Sequence, residues 1–134
     1  MTEPHDIRRI LLPNSLELVC RDDSRRYFGD YHLVRVLLSL PVPLERRFFS
    51  DDDQCRSARS VLADPVVYRR SAEKMGVPSA EVAAVRIRLV EELLRHAGEY
   101  LGSERFPARF IQAELTKVRS GRGRSHPVPV VRGA

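Results

Sequence analysis

Apolar residues recur at every second position in the first third of the chain and at every third or fourth position after residue 51. Leu16, Leu18 and Cys20 alternate with Glu17, Val19 and Arg21, the period of a strand buried on one face. Residues 7–12 form a preceding apolar and basic stretch, and Pro13, Asn14 and Ser15 are turn formers that fold it back as a hairpin. Over residues 31–42 the even positions His32, Val34, Val36, Leu38, Leu40 and Val42 are nearly all apolar, while the odd positions mix Leu33 and Leu37 with Arg35 and Ser39. This pattern predicts a central strand with one face in the core and the other partly covered. Pro41 and Pro43 lack ladder donors and end it, with residues 44–49 as a short further strand.

Beyond Asp51 the spacing becomes helical. Cys55, Ala58 and Leu62 share one face, and Asp64 before Pro65 reads as an N-cap followed by proline at the first helical position. A second helix is therefore predicted over residues 65–75, closed by Gly76, with Val77, Pro78 and Ser79 supplying a turn and a new cap. Val82, Val85, Leu89, Val90, Leu93, Leu94, Ala97 and Leu101 form one broad stripe of a long helix that ends near Gly102. A last helix over residues 107–119 carries Phe110, Ile111, Leu115 and Val118, and Gly121 stops it. The expected class is α+β, a small N-terminal antiparallel sheet of three to four strands covered by three to four C-terminal helices. One domain is expected over residues 1–119, followed by a flexible basic tail over residues 120–134. No internal repeat is visible.

Composition sharpens this in a few places. At 134 residues, 43% hydrophobic and 31% charged, the chain has the makeup of a globular domain. Its longest uncharged run, residues 36–44, is less than half of the roughly twenty residues that span a bilayer. No membrane association is expected, and the acidic start without an apolar segment suggests a cytoplasmic address. The net charge of +5 is local: beyond Glu114 there is no acid, and Lys117, Arg119, Arg122, Arg124 and Arg132 carry the whole excess. The body of the chain is neutral. Arginine outnumbers lysine, which occurs only at positions 74 and 117, as the codon bias of a GC-rich genome produces. Cys20 and Cys55 are expected to be reduced, buried and structural.

Residues 72–85, AEKMGVPSAEVAAV, resemble the helix-turn-helix of bacterial DNA-binding proteins. Ala72, Gly76, Val82 and Val85 match that family in type and spacing, with Met75 and Val77 as packing residues. The resemblance implies an α-hairpin over residues 65–101 that docks on DNA, with Arg86 as a contact. Ser71 stands where the family has an apolar residue, and the groove-facing positions Ser79, Ala80, Glu81, Ala83 and Ala84 carry no long donors. An ordinary α-hairpin fits the same residues. The tail sequence RSGRGR at 119–124 is similar to arginine-glycine segments that hold nucleic-acid backbones, so Lys117, Arg119, Arg122 and Arg124 join Arg86 as candidate nucleic-acid contacts.

Residues 22–30 form a long connection in which Arg25, Arg26 and Tyr27 combine anion-binding forks with an amphipathic ring, the composition of a partner-binding loop. Asp22, Asp23 and Asp30 flank them and can neutralise the arginines internally. Asp51, Asp52 and Asp53 lack the spaced ligands and glycine of a calcium loop and read as a turn and helix cap. His32 and His96 lack zinc spacing and read as residues at the edge of the core, and His5 and His126 lie near the ends. No phosphate-binding glycine loop, nucleophile elbow or metalloprotease pattern occurs, so no catalytic residue, cofactor or metal is assigned. Sites assembled from distant residues, such as Cys20 with His32 or the pair Glu91 and Glu92 with His96, need geometry to judge. The sequence thus favours a non-catalytic domain that contacts a protein partner or its own copy. The alternative is a nucleic-acid accessory protein, and a small enzyme or metal protein ranks third.

Overall fold

A computed structural model describes residues 5–120 and 130–132. Strand β1 (His5–Leu11) and strand β2 (Glu17–Asp22) pair antiparallel around the Pro13–Asn14–Ser15 turn, where Ser15 takes a positive φ of 72°. Strand β3 (Arg25–Phe28) continues past a jog at Asp23 and Ser24 and pairs with the start of strand β4 (Tyr31–Val42), whose other half pairs with β2. Thus β2 and β3 together form one long arm that folds back at Gly29 and Asp30. Strand β4 is central, as its two-sided pattern predicts. A 3-10 turn at Arg46–Phe48 stands where a further short strand was expected over residues 44–49.

Helix α1 (Asp52–Val61) starts at Asp51, whose carboxylate accepts the Gln54 N–H at 2.8 Å, and it buries Cys55 and Ala58. The next segment departs from the sequence expectation. Residues 66–78 form strand β5 (Val66–Pro78), not a helix, and pair antiparallel with β4 along eleven registered positions from Tyr31↔Pro78 to Val42↔Val66. The Asp64 carboxylate does not cap a helix; it accepts the Leu44 N–H at 3.1 Å, and the Asp64–Pro65 bond is cis. Gly76, with φ +70°, sits in the irregular stretch between the Val77 and Lys74 pairings, so its left-handed conformation makes a β-bulge and not a helix end. Helix α2 (Val82–Gly102) and helix α3 (Phe106–Arg119) follow close to where the apolar stripes put them. Strand β6 (Val130–Arg132) then pairs parallel with Ser71–Glu73 of β5. Of the flexible tail expected over residues 120–134, residues 121–129 and 133–134 lie outside the described residues.

The strand order is β1-β2-β4-β5-β6, and the architecture is α+β with an antiparallel sheet under helices. Val34, Val36, Leu38, Leu40 and Val42 are fully buried on the helix-facing side of β4, against Leu89, Leu93 and Leu101 of α2 and Ile111 and Leu115 of α3. Burial of each such side chain stabilises the fold by about 1.5–3 kcal/mol. The β1–β2 turn is bolted to the end of α2. Asn14, itself buried, donates to the Leu101 carbonyl at 2.7 Å and the Ser103 carbonyl at 2.9 Å, satisfying acceptors that a helix end leaves open. Gly102 permits the approach, since a Cβ there would lie 3.0 Å from Pro13 Cδ.

The opposite face of the sheet carries charge. Arg35 donates to the Glu73 carboxylate at 2.8 and 3.0 Å and reaches Asp23 at 3.4 Å, and Arg21 donates to Asp6 at 2.8 Å. The Glu73 carboxylate, followed by the Asp23 one, raises the Arg35 pKa above its ordinary value. No described helix packs on this side, yet Leu33, Val19 and Ser71 are buried on it and Leu37 is half-buried. The second face of β4 is therefore less open at Leu33 than its composition suggests.

Candidate interaction site at the hairpin tip

The long arm formed by β2 and β3 returns at Gly29 and Asp30, and this tip carries three of the four exposed aromatic rings among the described residues, the fourth being Tyr100 on α2. Phe28 is 73% exposed, Tyr27 48% and Tyr31 47%, and Met75 on the adjoining bulge of β5 is 59% exposed. Phe28 pairs with Tyr31 across the turn, Tyr31 pairs with Pro78, and the Tyr27 hydroxyl lies 3.9 Å from where a Gly76 Cβ would sit. The four apolar side chains thus gather at one end of the sheet. The shift of register between Arg26 and Phe28 places an extra residue, Tyr27, in β3, the kind of bulge that re-aims side chains.

Arg25 and Arg26 are exposed beside these rings and form no salt bridge among the described residues, although the Arg26 charge is felt by the Asp30 carboxyl. The acids expected to neutralise them make their hydrogen bonds and salt bridges elsewhere. Asp22 accepts Arg86 at 3.1 Å and the Ser24 N–H at 2.9 Å, Asp23 faces Arg35, and Asp30 is held by Ser79. The Ser79 hydroxyl and N–H hold the Asp30 carboxyl below the usual carboxylate range. Ser79 does not cap α2 with its side chain; its hydroxyl is 2.8 Å from His32 Nε2. Asp30, Ser79 and His32 therefore tie the tip to the junction of β5 and α2, and the exposed rings stand on a braced support. The sequence singled out Arg25, Arg26 and Tyr27 here but not Phe28, Tyr31 or Met75, which meet only through the pairing of β3 with β4 and β4 with β5.

The residues assigned to nucleic acid are not brought together. The α-hairpin over 65–101 does not exist, because its first half is β5, so the helix-turn-helix resemblance ends at the sequence level. Arg86 on α2 is held by one nitrogen to Asp22, which is only 9% exposed, and lies away from the other candidate contacts on α3. Lys117 pairs with Glu114 at 3.2 Å and Arg119 ends α3 near Ser50 and Gln54, a different part of the surface. Arg122 and Arg124 lie outside the described residues.

Cys20 and His32 share the helix-facing side of the sheet but sit six β4 positions apart, since Cys20 pairs with Leu38, which places them ~20 Å from one another. His32 is half-buried at the core edge, whereas His96 is exposed, as is Glu91. Asp51 caps α1, Asp52 pairs with Arg46 and Asp53 with Arg56 at 3.3 Å. Among the described residues no three His, Cys, Asp or Glu side chains gather as metal ligands, and no helix is long and apolar enough to cross a membrane. Both cysteines are free and buried. Burial pushes the Cys20 thiol up to about 11, partly opposed by Arg8.

A test follows from that shift. Iodoacetamide at neutral pH is expected to leave Cys20 unmodified in the folded chain and to alkylate it in denaturant. The unfolded thiol loses its proton near its ordinary value of 9.0 while the folded one holds it to about 11, so stability falls as pH rises through that window. Urea midpoints measured across it are expected to drop, less so in Cys20→Ala. Compared with known proteins, the chain matches no family model, no curated protein and no solved structure.

Proposed function

We propose that the chain is a non-catalytic binding domain that recognises a protein partner through the β3–β4 hairpin tip. The observation that carries this reading is the exposure of Phe28, together with Tyr27, Tyr31 and Met75, beside two exposed arginines that form no salt bridge among the described residues. Aromatic rings and arginine dominate the energetics of protein interfaces, because rings bury much area at little entropic cost and guanidinium forks match carboxylates. The tip fits a partner that presents an apolar pocket rimmed by acids. A second copy of the same tip fits poorly, since head-on docking sets four arginines against one another.

A photo-crosslinking residue at position 28, introduced in the cell the protein comes from, is expected to give an adduct of discrete mass. The charge reversals Arg25→Glu and Arg26→Glu together are expected to abolish it. The same residue at Arg88, exposed on α2, serves as control. No adduct at position 28, or an equal one at 88, defeats the reading. Phe28→Ser is expected to change stability by no more than about 0.5 kcal/mol, as at other exposed sites, which separates binding from folding.

A further inference from the structure

A cleft of about 340 Å³ lies between β1 and α2, lined by Ile7, Arg8, Arg86, Ile87, Val90 and Glu91, none of them from the exposed rings of the hairpin. Its size is at the small end for ligand pockets. Three features give it chemistry. The register of β1 against β2 slips between Asp6 and Arg8, so Ile7 is the extra residue, and both Ile7 and Arg8 line the cleft where strict alternation would turn one of them away. Arg86 is anchored from below, its Nη1 donating to the buried Asp22 carboxylate at 3.1 Å, which leaves the rest of its fork for another acceptor. Ile87 is 59% exposed, unusual for isoleucine on a helix whose stripe is otherwise covered, and with Ile7 and Val90 it makes an apolar wall.

We propose that this cleft binds a small amphipathic carboxylate, its head between Arg8 and Arg86 and its apolar body against Ile7, Ile87 and Val90. Arg8 has no charged partner among the described residues, and Arg86 is already half-satisfied by Asp22. Glu91 on the lining adds a negative charge, so the cleft suits a singly charged head and disfavours a dianion. The proposal is independent of the hairpin reading, because no lining residue belongs to the tip.

The test is an NMR titration of the isotope-labelled full chain with octanoate, 1-octanol and inorganic phosphate. Octanoate is expected to give saturable shifts at Ile7, Ile87 and Val90, while octanol and phosphate give none. Arg8→Gln is expected to weaken octanoate binding by about tenfold, the equivalent of one charge-assisted contact. Ile87→Ser, at an exposed position that leaves the fold intact, is expected to weaken it as well. The proposal is overturned if octanoate shifts none of these residues, if octanol binds as tightly as octanoate, or if both variants bind like the parent chain.

Discussion

Asn14→Asp is expected to destabilise the protein by about 3–5 kcal/mol, the penalty for an uncompensated buried charge. The Asn14 side chain is 8% exposed and donates to two carbonyls at the end of α2, while its own oxygen accepts the Leu16 N–H at 3.2 Å. A carboxylate there points two oxygens at two oxygens, at the helix end where the backbone dipole is negative. Its folded pKa is therefore raised. Such a group weakens the fold as pH rises through the unfolded value, about 3.9, and the damage shrinks in acid where the proton restores one donor. Asn14→Ala, which only orphans the partners, is expected to cost about 2–3 kcal/mol with no such pH dependence. Denaturant midpoints of both variants at acid and neutral pH check the pair, and equal losses at both pH values in Asn14→Asp contradict the assignment.

Phe106→Ala is expected to cost about 3–5 kcal/mol, the range for emptying a buried aromatic site. Phe106 is 1% exposed and is the centre of a ring cluster. It stacks on Phe110 at 5.5 Å and meets Tyr68 at 5.6 Å and Tyr100 at 5.2 Å edge-on. Through Tyr68 this cluster holds α3 to β5. Against a typical total of about 5–15 kcal/mol, the loss consumes a large share of the stability. Calorimetry is expected to show a midpoint lowered far more by Phe106→Ala than by Phe28→Ser, although the two remove rings of the same size. Equal midpoints contradict the placement of α3.

The contrast between these two phenylalanines shows what the sequence could and could not convey. The β1–β2 hairpin, central β4 and the three helices follow from period, turn residues and apolar stripes that are local. Strand β5 does not. Its alternating sets, Val66, Tyr68, Arg70, Ala72 and Lys74 on one face and Val67, Arg69, Ser71, Glu73 and Met75 on the other, carry charge on both, so no period of two stands out. Ala72, Glu73, Lys74 and Met75 also favour helix. Eleven registered pairings with β4 override that preference, as tertiary context routinely does. Gly76 supplied a signal for positive φ but could not say whether a helix end or a bulge required it. At the tip, Arg25, Arg26 and Tyr27 are contiguous and legible, whereas Met75 joins them from a strand 48 positions beyond Tyr27. Asn14 gave only a turn, because its acceptors lie 87 and 89 positions away.

Strand β6 changes what a deletion experiment measures. Ending the chain after Arg119 looks like a way to remove positive charge, yet it also strips Ser71–Glu73 of its neighbour and leaves open ladder groups in the middle of a thirteen-residue strand. A bare edge of that kind recruits other strands, and the shortened protein is expected to aggregate for reasons unrelated to polyanions. Neutralising Lys117, Arg119, Arg122 and Arg124 to glutamine in the full-length chain isolates charge while leaving the strand in place.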